Sequence, residues 1–455
     1  MKRVVAALEA RGLVAGLTHG GSTRCEAAHV VGVDGVELVD EVAHAAGGQP
    51  RSVYLGVDPS ADGLHVGHLL GVLTLRSFQR HGFRPIALVG GATGLIGDPS
   101  GRATERQMLS EEQVQANVRG IQSDLERLLD FDACEVTGSD THARLVNNAD
   151  WYKDMSALGF LRDVGKHFRV GAMKSRDSVK SRVDQGLSFT EFSYQILQGY
   201  DFLHLYRTMG CRVQVGGSDQ WGNIVSGVDL IRRVTGKRDA YGLTIPLLVN
   251  SDGTKFGKSA GNAVWLRPDK TSHLEFYQFF LRLADAEVEP LLPKLCGDDL
   301  HGDDLAQLVS DHRADLSKRL AQTYLAEHMT ALVRGATGLR RAQVATKVLF
   351  GASLDDLSAA DLLDLGNGTA EVPVVELRRD DVVGKPLASL AVQAKLCKSS
   401  SEARRLIASG GLYINNARVA PTKSTTFDPA LHAKEGELSV LRAGKRKHAI
   451  IHFPH

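Results

Sequence analysis

The sequence predicts an α/β protein in which a parallel sheet is followed by a helical domain and then by a small α+β domain. Three observations predict it. Between Ser52 and about Trp265, short β-rich runs alternate with helical ones, as in a parallel sheet covered by crossover helices. From Thr271 to Leu365 the apolar residues keep helical spacing and β alternation is lost. From Lys385 to His455 twelve Lys and Arg stand against four Asp and Glu, a net +8. The whole chain of 455 residues carries only +1, so an acidic body of −7 precedes a basic tail. That distribution fits a nucleic-acid-binding appendage, and equally a solvated charged surface until motifs are considered.

Composition excludes several classes. With 43% hydrophobic and 24% charged residues, a packed core is expected and wholesale disorder is not. No apolar run approaches the roughly 20 residues that span a bilayer, so no membrane partner is expected. The five cysteines, Cys25, Cys134, Cys211, Cys296 and Cys397, are odd in number and scattered. They offer neither a disulfide framework nor a C-x-x-C metal site, and they fit a reducing compartment.

The opening Lys2–Leu17 has the apolar spacing of an amphipathic helix and lacks the pattern of a secretory signal. Its two leading basic residues leave organelle import open. Thr18–Arg51, rich in Gly and Val, is expected to be irregular. Ser52–Val57 reads as a strand, Leu69–His81 as a helix, and Pro85–Val89 as a strand that ends in a Gly-rich turn. Cys211–Val215 is a further strand and Gly222–Arg233 a further helix. The segment at about 150–188 is helical in pattern and interrupts the α/β unit, which is expected to span 1–265. The helical domain is expected over 271–365, a linker over 366–384, and the basic domain over 385–455. That last domain reads as a helix (SSSEARRLIASGG), then LYINNARV and a closing strand, HAIIHF.

Two distant motifs carry chemistry. In the first, a strand leads into His65-Val-Gly67-His68 at the start of a helix. A helix N-terminus attracts phosphate oxygens, a glycine lets a nucleotide approach the backbone, and the two imidazoles offer N–H donors. The spacing is wrong for a zinc-binding H-E-x-x-H pair, and no metal site is expected. In the second, Lys255-Phe-Gly-Lys258-Ser259 places two lysines in a glycine-rich loop that is not a Walker A loop. Alone, either motif could be ordinary surface. Tyr194, Gln198 and Asp201 stand at i, i+4 and i+7, so three polar groups share one face of a helix.

Together, the two motifs resemble the signatures of class I aminoacyl-tRNA synthetases. Ala87–Gly101, Ser188–Phe202 and Gln214–Asn223 narrow the likeness to the bacterial-type tyrosyl-tRNA synthetase family, and Ser400–Asn415 resembles the S4 RNA-binding domain that closes it. The resemblance covers nearly the whole chain. It implies a Rossmann-like catalytic domain, a helical domain for the anticodon arm, and an S4-like domain. It also implies L-tyrosine, ATP with Mg²⁺ and tRNA(Tyr) as substrates, with no tightly bound cofactor. A homodimer formed through the 150–188 insertion would follow. So would a bacterial cytoplasm, with the mitochondrial matrix and plastid stroma as alternatives.

Residue by residue, the resemblance assigns Asp201 and Tyr54 to the tyrosine phenol. Asp98, Tyr194, Gln198 and Gln220 fall to the tyrosine amino and carboxyl groups. Asp58, Ser60, Gly67, Gly217 and Asp219 fall to ATP. His65, His68, Lys255 and Lys258 become cationic donors to the reacting phosphates. For tRNA it assigns Arg232 and Arg233 to the acceptor arm, and Lys398, Arg404 and Arg405 to backbone phosphates in the S4-like domain. Gly71 departs from the family in replacing a hydroxyl residue near ATP. A tryptophan-specific relative and a catalytically idle RNA-binding protein are the rival readings. Asp201 suits a phenol better than an indole, and the histidines and lysines are intact.

Overall fold

The structure is a computed structural model that describes residues 1–18, 51–100, 109–132, 141–183, 186–249, 256–259, 262–368, 372–420, 426–444 and 447–454. It has two compact units, Met1–Lys270 with Leu281–Met329, and Thr271–Phe280 with Thr330–His455. The helical stretch expected as one domain at 271–365 is thereby divided. Helical periodicity shows that a face is buried but not which core buries it.

The first unit is built on a six-stranded sheet of order β1-β6-β5-β2-β3-β4. Its strands are β1 (Gly16–Leu17), β2 (Ser52–Val57), β3 (Arg84–Val89), β4 (Arg144–Asn147), β5 (Cys211–Gly217) and β6 (Tyr241–Ile245). All pairs are parallel except β1 with β6. Val53 and Tyr54 of β2 are both almost fully buried although they point to opposite faces. A central parallel strand covered on both sides requires this, and it explains the unbroken apolar run.

Helix α1 (Lys2–Ala10) is shorter than the Lys2–Leu17 expected. Gly12 takes φ +67°, which ends the helical path, and Gly16–Leu17 pairs with the sheet edge instead. Helices α2 (Val66–Arg80), α3 (Glu111–Glu126), α4 (Phe189–Met209) and α5 (Trp221–Thr235) connect the strands. Four short helices between Ala149 and Val183 occupy the expected insertion. From β2 the chain runs outward through β3 and β4, and it later returns to β5 and β6 on the other side. The strand order therefore reverses at β2/β5, and a ligand crevice is expected beyond the carboxyl ends there.

The second unit holds a five-stranded sheet. Three of its strands, Leu412–Ile414, Leu438–Ala443 and Lys447–His452, meet the helix Ser400–Ala408 around a core that includes Leu390, Phe427 and Phe453. Asn415 and Asn416 both have positive φ and close the Tyr413/Arg418 hairpin, as a tight two-residue turn demands. The 366–384 stretch is not a plain linker. Val374–Glu376 is a strand parallel to Lys447–His452, and Arg379–Val382 is a helical turn. A three-residue strand is too short to show periodicity.

Candidate active site

A cavity of about 380 Å³ opens at the carboxyl ends of β2 and β5, at the expected reversal. Its lining includes Tyr54, Asp58, Ser60, His65, Gly67, His68, Asp98, Tyr194, Gln198, Asp201, Gly217, Asp219 and Gln220. These residues come from sequence positions as far apart as 54 and 220, yet they share one wall system. Lys255 lies outside the described residues. Lys258 begins a two-residue strand, and its side chain is likewise outside the description.

The deep end of the cavity is acidic and polar. Asp201 is 2% exposed and accepts hydrogen bonds from Asn148 Nδ2 at 3.1 Å and from Trp151 Nε1 at 2.9 Å. Burial pushes its carboxyl up to about 7 against these donors. Beside it the Tyr54 hydroxyl is buried and has no hydrogen-bond partner among the described residues. Burial first, and Asp201 second, raise its pKa well above the ordinary phenol value. A buried donor without a partner next to a buried acceptor can receive a hydroxyl-bearing ligand.

Along the side wall, Tyr194 donates from its hydroxyl to Asp58 Oδ2 at 2.7 Å, and Thr93 donates to Asp58 Oδ1 at 2.7 Å. Asp58 is thus tied into the wall that holds Tyr194. Opposite, Gln220 Nε2 donates to Asp98 Oδ2 at 2.7 Å, while the Ser100 amide and Asn223 Nδ2 reach Asp98 Oδ1 at 2.9 and 3.4 Å. Asn223 also donates to Gln220 Oε1 at 3.1 Å, so a buried amide fixes the two cavity-lining residues Asp98 and Gln220 from behind. Gly71 leaves no void: a Cβ there would lie 3.0 Å from Leu55 Cδ2, so Leu55 fills the space that a hydroxyl side chain would take.

At the mouth, His65 caps α2. Its Nδ1 accepts the Gly67 N–H at 3.0 Å, and its own N–H donates to His68 Nδ1 at 3.2 Å. The rings lie 4.0 Å apart. Burial and the neighbouring His65 push His68 down to about 3. His68 was expected as a cation and is instead neutral at pH 7. With Nδ1 accepting, its proton resides on Nε2, and the residue is an uncharged donor. Gly67 lines the cavity and also completes the cap. Its amide is engaged by His65, and a Cβ on it would stand 2.8 Å from the His65 ring. The base of the lysine loop rests on this turn: Gly257, at φ +85°, would bring a Cβ to 3.1 Å from both Gly67 N and Val66 Cβ.

The residues assigned to tRNA divide. Arg232 and Arg233 both pair with Asp229, and Arg233 also donates to the His167 carbonyl at 2.7 Å. Their charge is partly spent within the fold. Lys398, Arg404 and Arg405 are exposed in the second unit. Sequence reasoning missed Asn148, Trp151, Thr93 and Asn223. Asn148 and Trp151 follow directly on β4, and a polar residue and a tryptophan just past a strand end were the available signal.

A Rossmann-like crevice flanked by an H-x-G-H helix cap and a lysine loop defines a class I aminoacyl-tRNA synthetase. The family model described as tRNA synthetases class I (W and Y) matches residues 47–351, and the chain belongs to that family. A second model, the tyrosine–tRNA ligase SYY-like C-terminal domain, matches residues 364–451. Within the family the chain falls among the bacterial-type tyrosine–tRNA ligases. It is 45% identical to a tyrosine–tRNA ligase of Rhodopirellula baltica, over 90% of this chain and 91% of that protein. It is 44% identical to one of Geobacillus stearothermophilus, over 88% of this chain and 92% of that protein. Among solved structures, the C-terminally truncated mitochondrial tyrosyl-tRNA synthetase of Aspergillus nidulans superposes with TM-score 0.63 at 30% identity, covering 76% of this chain and 93% of that one. A tryptophanyl-tRNA synthetase of Encephalitozoon cuniculi shares the fold alone, with TM-score 0.51 at 14% identity over 75% of this chain and 90% of that one.

Proposed function

We infer that the chain activates L-tyrosine with ATP and transfers the tyrosyl group to the 3′ end of tRNA(Tyr). The observation that carries the reading is the cavity's deep end, where the partnerless Tyr54 hydroxyl stands beside the buried Asp201 carboxyl. A tyrosine phenol satisfies both, whereas phenylalanine satisfies neither and leaves buried polar groups unpaired. Tyrosyl-tRNA synthetases reject phenylalanine on this ground, without editing.

Asp98, Tyr194, Gln198 and Gln220 then face the ligand's amino and carboxyl groups. Asp58, Ser60, Gly67, Gly217 and Asp219 face the nucleotide, with Asp219 on the ribose. In the first step the tyrosine carboxylate attacks the α-phosphorus of ATP, forming tyrosyl-adenylate as pyrophosphate leaves. In the second, the terminal ribose hydroxyl of tRNA attacks the acyl carbonyl and AMP departs. The attacking carboxylate is already an anion, so no general base is needed in the first step. His65 and the neutral His68 supply fixed donors where charge develops, and Lys255 and Lys258 supply cations. Among the described residues no cluster of three His, Cys, Asp or Glu can hold a metal, and Mg²⁺ enters on the substrate as MgATP.

Functionally, 1–265 is the catalytic part, the helices of 271–365, though divided between the two units, serve the anticodon arm, and the S4-like part, with its added strand Val374–Glu376, grips tRNA through Lys398, Arg404 and Arg405. Arg232 and Arg233 guide the acceptor arm. The protein works as a homodimer through the 150–188 insertion. Leu158, Val170 and Phe189 in and beside that insertion are 81%, 62% and 76% exposed, which supports a second copy covering them. Relatives from bacteria support a cytoplasmic enzyme of bacterial type. ATP–pyrophosphate exchange with each amino acid tests the reading. Tyrosine-dependent exchange is expected, and tryptophan-dependent exchange or none would overturn it.

A further inference from the structure

The H-x-G-H turn is gripped from behind by a carboxylate that no motif points to. Asp124, on α3, is 2% exposed, and its Oδ2 accepts the Leu64 N–H at 2.7 Å. Leu64 immediately precedes His65, the cap of α2. One turn earlier on the same face of α3, a Cβ on Gly120 would stand 2.0 Å from the Asp62 carbonyl oxygen, so α3 backs directly onto this loop.

A second grip comes from the segment that follows the lysine loop. Val66 N–H donates to Val264 O and Leu266 N–H to Leu64 O, both at 2.9 Å, and Val264 N–H donates to Gly257 O at 2.8 Å. The Trp265 ring meets the His65 ring edge-on at 5.9 Å, and Lys270 Nζ lies 4.3 Å over the Trp265 ring while pairing with Asp62. Arg267 reaches Asp62 at 3.4 Å. A Cβ on Gly63 would lie 3.0 Å from Asp124 Oδ2 and 3.6 Å from Arg267 Nε, so this carboxylate and this guanidinium flank one glycine.

We propose that Asp124 is a positioning residue for adenylate formation: by fixing the Leu64 amide between α3 and the 264–267 segment, it sets the orientation of His65 and, through the His65–His68 hydrogen bond, of both imidazoles. It acts through the turn and does not line the cavity. The ATP half of the site therefore depends on it, and the phenol pocket at Asp201 does not. The proposal rests on the tyrosine-activating reading above.

The test uses the full chain with Asp124→Ala and Asp124→Asn. Tyrosine-dependent pyrophosphate exchange is measured per titrated active site, and hydrogen–deuterium exchange is followed in the peptide holding Leu64–Val66. Asp124→Ala is expected to lower kcat/KM for ATP roughly 10- to 100-fold, to leave KM for tyrosine within about twofold, and to deprotect that peptide. Asp124→Asn keeps an oxygen for the Leu64 amide and is expected to stay within about threefold of wild type. Should the alanine variant not fold, Asp124→Leu, which fills the same space, carries the same expectations. Wild-type kcat and both KM values in the surviving active sites, or equal losses toward ATP and tyrosine, would overturn the proposal. An unchanged peptide would also overturn it. If wild type itself shows no tyrosine-dependent exchange, the functional reading fails, while the exchange protection at Leu64 still reports on the Asp124 contact.

Discussion

Removing one oxygen from Tyr54 separates a substrate-binding role from a structural one. In the free protein the Tyr54 hydroxyl is buried without a protein partner, a state that costs about 1–3 kcal/mol. Tyr54→Phe removes that penalty without opening a cavity, because the ring stays packed against Phe202 at 5.2 Å between centroids. Stability should therefore hold or rise. In the complex the hydroxyl gains the tyrosine phenol, and a neutral hydrogen bond contributes about 0.5–1.5 kcal/mol net. At about 1.4 kcal/mol per factor of ten, KM for tyrosine should rise roughly 2- to 12-fold, and the preference over phenylalanine should fall by the same factor. Denaturant unfolding and exchange kinetics with both amino acids measure the two effects. A stability loss above about 1 kcal/mol with KM unchanged would show that the hydroxyl serves the fold, and the pocket assignment would fail.

Other expectations follow from the same geometry. The Asp201 carboxyl sits near 7 when folded against an ordinary value of 3.8, so the folded state holds its proton more tightly. Its contribution to stability should decline as pH rises from about 4 to about 7 and stay flat beyond, and Asp201→Asn should abolish that slope in pH-dependent unfolding. In wild type, KM for tyrosine should fall through pH 7 as the better acceptor forms, with no such inflection in the variant. Lys258→Ala should lower single-turnover adenylate formation by at least about tenfold more than it weakens tyrosine binding at equilibrium; equal losses would contradict a role at the phosphates. Arg404→Ala with Arg405→Ala should raise KM for tRNA and shallow its log–log salt dependence by up to about 2, leaving pyrophosphate exchange untouched; an unchanged salt slope would remove both from the phosphate contacts.

Much of this site is legible in the sequence because its parts obey local rules. The strand Ser52–Val57, the cap at His65 and the Tyr194–Gln198–Asp201 helix face are each written within a few residues. What was not legible depends on pairs far apart along the chain. Asn148 and Trp151 reach Asp201 across about fifty positions, Asn223 reaches Asp98 across 125, and Asp124 reaches Leu64 across 60. No spacing rule marks such partners, since the sheet and not the helix brings them together. The neutral state of His68 escaped for a related reason. A motif gives residue types, whereas burial sets which of them carry charge. The overlong first helix and the supposed linker show the converse failure, where two- and three-residue strands leave no periodic trace.

Gly257 packs tightly on the start of α2: a Cβ there would stand 3.1 Å from both Gly67 N and Val66 Cβ. A side chain larger than hydrogen at Gly257 would therefore press on the cap of α2. A substitution there, outside both the imidazole pair and the lysines, would thus disturb the histidine turn, which makes Gly257 a structural hinge-pin between two motifs that the sequence keeps almost two hundred residues apart.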